Sequence, residues 1–125
     1  MISVADSFTL IIDTEYLEEV SVPAQHRYFF AYSITLTNPL NQPVSVSSIQ
    51  LLLTDGDGAI TELNNPFQNN DYLISSQQDF CYSNDIITHS PLSIVQGKIE
   101  LQLNASELVV ITIEPFRLVT PNLLH

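Results

Sequence analysis

From Tyr28 to Thr37 the side chains alternate. Tyr28, Phe30, Tyr32, Ile34 and Leu36 share one parity, and Ala31, Ser33, Thr35 and Thr37 share the other. Successive residues of a strand point to opposite faces, so the pattern predicts a β-strand with one face against a core. Its aromatic and β-branched content suits a pleated, half-buried surface. Phe8, Leu10 and Ile12 alternate in the same way with Thr9, Ile11 and Asp13 and predict an earlier strand. Between the two, residues 15–25 carry Glu15, Glu18 and Glu19 and close on Pro23, which reads as an acidic loop. Asn38-Pro39-Leu40-Asn41-Gln42-Pro43 is dense in turn formers and ends the strong strand.

The alternation then changes phase. Val44 and Val46 share one parity, whereas Ile49, Leu51 and Leu53 share the other. A bulge or short break at Ser47-Ser48 reconciles them, because one extra residue flips every later side chain. Asp55-Gly56-Asp57-Gly58 predicts a tight hairpin turn into a short strand through Ile60 and Leu63. Asn64 and Asp71 bound a polar stretch that reads as a loop, and short strands are expected at Tyr72–Ile74 and at residues 80–82. Residues 94–103 and 108–113 flank Asn104-Ala105-Ser106 and predict a second hairpin. Phe116, Leu118 and Val119 form a last short strand bounded by Pro115 and Pro121. No window repeats at helical spacing. Seven to nine strands with frequent turns predict an all-β antiparallel β-sandwich, and the lack of a linker or repeat makes residues 1–125 a single domain.

Apolar residues make up 45% of the 125, enough for a core that buries roughly two-thirds of the unfolded surface. Charge changes the picture more. Arg27, Lys98 and Arg117 are the 3 cations against 14 Asp and Glu, for a net charge of −11. Nucleic-acid binding draws most of its affinity from cations that displace condensed counterions, and three scattered ones form no such footprint. Nucleic acids and anionic membranes are therefore excluded as expected partners. Proteins and divalent cations stay open. Cys81 is the single cysteine, so no intramolecular disulfide forms. The first residues do not follow the pattern of a signal peptide, which makes the cytoplasm the expected compartment.

Several segments carry a family likeness. Thr14-Glu15-Tyr16-Leu17-Glu18-Glu19 and Arg27-Tyr28-Phe29-Phe30-Ala31-Tyr32 with Asn38 resemble the opening of the bacterial ApaG domain. Thr54-Asp55-Gly56-Asp57-Gly58 resembles the turn after that family's third strand. Tyr82-Ser83, Pro91, Gln96-Gly97, Pro115-Phe116-Arg117-Leu118, Pro121 and Leu124-His125 are similar to its later strands and C-terminus. The resemblance implies an immunoglobulin- or fibronectin-III-like sandwich without an assigned activity. It also implies an association with cobalt and magnesium tolerance, and use of the domain as an interaction module in larger proteins.

The chain departs from that family at two places. The usual Gly-x-Gly-x-x-Gly loop is replaced by Asn64-Asn65-Pro66-Phe67-Gln68-Asn69-Asn70. No glycine is left to let backbone N–H groups approach a phosphate, and Pro66 has no N–H at all. The usual Arg-aromatic-Trp run becomes Ile49-Gln50-Leu51, which removes a cation. A pyrophosphate site is therefore less expected here than in a typical member.

Candidate chemistry is sparse. Asp55 and Asp57 are spaced like the start of a calcium loop, but Ala59 and Pro66 stand where further ligands belong, so the segment reads as a hairpin turn. His26, His89 and His125 show no metal-ligand spacing, and Cys81 reads as a small half-buried strand residue. Arg27 and Arg117 read as structural arginines, partly buried and neutralised by acids, the alternative being an anion or partner contact. No catalytic, cofactor-binding or metal-binding set is assigned. The expectation is a non-enzymatic protein-interaction module, with Asp13 to Glu19 and Asn64 to Asp71 as contact loops. The alternative is a sensor of a phosphorylated small molecule or a divalent cation. A homodimer through an edge strand stays open.

Overall fold

The computed structural model describes the backbone of residues 3–66 and 72–121, and the side chains of all of these but 64–66. Eight strands carry the fold: β1 (Thr9–Tyr16), β2 (Tyr28–Thr37), β3 (Val44–Asp55), β4 (Ile60–Pro66), β5 (Tyr72–Ile74), β6 (Asp79–Thr88), β7 (Leu92–Asn104) and β8 (Glu107–Val119). The helical segments described are α1 (Val4–Ser7) and a 3-10 turn at Pro23–Gln25. No described helix is long and apolar enough to cross a membrane.

All strand pairings among the described residues are antiparallel. One sheet has the order β1-β2-β6; the other runs β4-β3-β7-β8, with β5 continuing the β4 side of β3. The two inner faces form one core. Phe30, Ile34 and Leu36 of β2 meet Ile49 of β3, Val95, Ile99 and Leu101 of β7, and Ile113 and Leu118 of β8, all at most 1% exposed. The even-numbered face of β2 is thus the buried one, as its alternation predicts. The expected sandwich and strand number hold.

The phase change in β3 is a real bulge. Val46 faces Leu101 and Ser48 faces Glu100, which leaves Ser47 without a counterpart on β7. Val44, Val46, Ile49, Leu51 and Leu53 therefore all reach the core.

Four expectations need correction. The acidic loop is shorter than residues 15–25, because Glu15 and Tyr16 finish β1. The polar stretch from Asn64 is strand as far as Pro66, since Asn64 and Asn65 continue the pairing of β4 with Gln50 and Ile49; residues 67–71 lie outside the described ones. The short strand at residues 80–82 is the start of β6. This strand lies at the edge of its sheet, where Ser83, Asn84 and Asp85 are exposed and break the hydrophobic pattern without breaking the pairing with β2. Finally, Pro115 does not end a strand. Val95 faces Phe116 and Gly97 faces Ile113, so Glu114 and Pro115 bulge opposite Gln96 and β8 continues. β8 is the outer strand of its sheet, and a proline in an edge bulge removes no ladder donor.

Candidate functional site

Antiparallel pairing brings the ends of β1, β3, β6 and β8 and the starts of β2, β4 and β7 to one end of the sandwich. Here β1 closes on Tyr16 and β2 opens on Tyr28. The eleven-residue connection (17–27) between them is tightly built. Ser21 Oγ accepts from the Phe29 N–H at 2.9 Å and donates to the Leu17 carbonyl at 2.8 Å. Val22 and Arg27 form a two-residue bridge around the 3-10 turn, which His26 leaves in a left-handed conformation at φ 56°.

Asp55 organises the neighbouring turns. Its side chain is 5% exposed and accepts from Ser93 Oγ at 3.0 Å and from the His89 N–H at 3.2 Å. Ser90 Oγ accepts from the Gly56 N–H, and the Thr120 N–H donates to the Pro91 carbonyl at 3.0 Å. The β3–β4 hairpin, the β6–β7 turn and the end of β8 are thereby fastened together.

These elements enclose a cleft of about 440 Å³ lined by Tyr16, Glu18, Pro23, Tyr28, Pro91, Thr120 and Pro121. Its size is that of a small-molecule or short-peptide pocket. Tyr16 and Tyr28 are half-buried, and the Tyr16 ring packs on Phe30 with centroids 5.3 Å apart, which orients it from below. A shallower depression of about 390 Å³ shares Tyr16 and Glu18 and adds Glu15, Leu17, Glu19 and Val20. On the outer face of the smaller sheet, Asp13, Glu15 and Asp85 flank an open trough floored by Ala31, Ser33 and Ser83.

The other sequence candidates fall elsewhere. Asp57 is exposed and accepts from its own turn's Ala59 N–H at 3.0 Å, while Asp55 points inward, so the pair is a hairpin turn. Among the described residues no group of three or more His, Cys, Asp or Glu is placed to hold a metal ion. His26 and His89 are exposed, and His125 lies outside the described residues. Cys81 is exposed rather than half-buried, because it has the outward parity of β6. The arginines also differ from expectation. Both are exposed, Arg27 lies over the Phe29 ring at 5.8 Å, and the salt bridge found among the described residues joins Lys98 to Glu100. Arg27 lies in the connection just before β2, and the Glu114-Pro115 bulge, by turning Phe116 and Leu118 to the core, leaves Arg117 between them facing outward. Ile49 and Leu51 serve the core, and the intervening Gln50 donates to Glu100 at 3.0 Å.

Sequence reasoning noted Tyr16, Tyr28, Pro91 and Pro121 as family-like residues and missed that they line one cleft. Of its three prolines, Pro23 and Pro121 are also legible as element boundaries.

Comparison with known proteins follows the same segments. Residues 18–103 match the family model of the ApaG domain. The chain is 33% identical to Protein ApaG of Azotobacter vinelandii over 115 residues, 91% of each chain. It is 31% identical to Protein ApaG of Shewanella sp. strain MR-7 over 126 aligned positions that span all of both chains. The X-ray structure of the Northeast Structural Genomics Consortium target SoR45 superposes with a TM-score of 0.85 at 27% identity, covering 98% of this chain and 94% of that one. A putative ApaA protein from Bordetella pertussis shares the fold with a TM-score of 0.83 at 24% identity, over 91% of this chain and 94% of that one. With a family model over most of its length and full-length relatives at this identity, the chain belongs to the ApaG domain family.

Proposed function

We propose that this protein is a non-enzymatic interaction module and that the tyrosine- and proline-lined cleft is where a protein partner docks. The observation that carries the reading is convergence. The segments that bear the family likeness at the start, middle and end of the chain supply Tyr16, Tyr28, Pro91 and Pro121 to one preformed pocket. Tyrosine offers a large rigid surface with a polar tip, a combination favoured at binding sites. Proline rings add apolar wall at little entropic cost. The division into sheets β1-β2-β6 and β4-β3-β7-β8 supports an immunoglobulin- or fibronectin-III-like reading, in which end loops and edge strands are the usual contact surfaces.

In this reading the protein works in the cytoplasm, and the family's cobalt and magnesium association runs through a partner rather than a bound ion. Affinity capture at low salt with wild type and Tyr28→Ser tests the docking role. A reproducible partner lost from the folded variant is the expected result, and identical captured sets would overturn it. A thermal-shift titration with magnesium, cobalt, pyrophosphate and nucleotides is expected to be flat. A saturable rise would favour the sensor instead.

A further inference from the structure

We infer that the occupant of the cleft is an extended, proline-containing segment of a partner protein that carries a lysine or arginine beside the proline. This rests on the docking reading above and adds the chemistry of the ligand.

The walls argue for the backbone of that ligand. Two half-buried tyrosine rings and three prolines present flat apolar faces. A polyproline II segment suits such a groove, because it binds through ring stacking and arrives already stiff. Strand addition is a poorer match, since this pocket is made of element ends rather than of an open edge.

Charge argues for the cation. Glu18 lines the cleft, and Glu15 and Glu19 line the depression that shares Tyr16 and Glu18 with it. Among the described residues no Lys or Arg lines either one. Arg27, the cation next in sequence to Tyr28, lies over Phe29 on the opposite face of β2. Among the described residues Glu15, Glu18 and Glu19 have no ion-pair partner, so their charge is free to meet one from outside. Net charge of −11 steers a cationic segment toward the protein and repels an acidic one. A chain crossing Tyr16 with its proline in the cleft sets its next residue over these acids.

The site is also preorganised. Ser21, the Val22–Arg27 bridge and the 3-10 turn hold the acidic connection in place, which lowers the ordering cost of binding.

The test is fluorescence anisotropy with the full-length protein and labelled synthetic peptides at low salt. One peptide carries two prolines and a flanking arginine, a second replaces the arginine by glutamate, and a third replaces the prolines by alanine. The arginine–proline peptide is expected to bind at least about tenfold more tightly than either control and to weaken severalfold as salt rises through about 0.2 M. Exposed Glu18→Gln is expected to weaken the arginine peptide severalfold and, by removing a like-charge repulsion, to leave the glutamate peptide no weaker than with wild type. Equal affinity for the arginine and glutamate peptides, or no effect of Glu18→Gln, would overturn the cationic ligand while leaving docking intact. If no peptide binds but capture still depends on Tyr28, the proline-type ligand is wrong and the docking reading survives. If capture is also indifferent to Tyr28→Ser, both fail.

Discussion

The two donors held by Asp55, Ser93 Oγ at 3.0 Å and the His89 N–H at 3.2 Å, make it the residue on which one end of the sandwich depends. Asp55→Ala would leave the buried Ser93 hydroxyl and the part-buried His89 N–H without an acceptor, at a cost of about 2–3 kcal/mol. Urea denaturation should show that loss, and Asp55→Asn, which keeps one acceptor oxygen, should lose less. Tyr32 gives a pH-dependent counterpart. Its ring lies between the sheets near Tyr82 and Phe116, with centroids 6.3 and 6.4 Å away. Burial chiefly, then the charge of Tyr82 and a hydrogen bond with it, push the Tyr32 phenol above its ordinary range. An unfolded tyrosine ionises near pH ~10 while the folded one keeps its proton, so this contribution is whole below that pH and lost as pH rises beyond it. The loss runs at up to about 1.4 kcal/mol per pH unit. Tyr32→Phe, which cannot ionise, should therefore escape this loss, so that its stability relative to wild type rises as pH passes ~10. A gap independent of pH would refute the assignment.

At the scale of elements, register is decided by single residues. The unpaired Ser47 keeps Val44 and Val46 on the same face as Ile49, Leu51 and Leu53. Deleting it forces one group outward, and even the smaller choice of two valines costs roughly 3–6 kcal/mol. Ser47→Ala, which keeps the bulge, should change stability by less than about 0.5 kcal/mol. Chemical denaturation of the pair separates chain length from side-chain identity. The bulge at Glu114-Pro115 plays the same part in β8, where it returns Phe116 and Leu118 to the core side of the strand. Gly97 sits beside it, and a Cβ there would run into the Gln50 carbonyl, so this backbone approach requires glycine.

For the molecule as a whole, unbalanced charge governs the electrostatics. A net charge of −11 meets one described salt bridge, Lys98 Nζ to Glu100 Oε1 at 3.7 Å, and exposed pairs of that kind contribute little. Self-repulsion is therefore screened mainly by solvent ions. Raising sodium chloride from about 10 mM to 0.2 M shortens the screening length severalfold and should raise Tm by a few degrees. A salt-independent Tm would mean that the acids lie too far apart to interact. The same field, acting on a partner, underlies the preference expected at the cleft.

By itself the sequence determined what depends on neighbours along the chain. Strand alternation has a period of two residues, so β2, the β3–β4 and β7–β8 hairpins and even the Ser47 bulge are visible as runs and phase changes. Family-like segments are visible in the same way. Tertiary structure decided the rest. It extended β6 through Ser83, Asn84 and Asp85, because an edge strand needs pairing on one side only and tolerates polar residues. It carried β8 past Pro115, because an edge bulge does not miss the proline's donor. It also turned Asp55 inward and the two arginines outward. Above all it assembled the cleft, whose Tyr16 and Pro121 come from opposite ends of the chain. Alternation is set by backbone geometry within a few residues, whereas the cleft exists only once long-range pairing has gathered the strand ends at one pole.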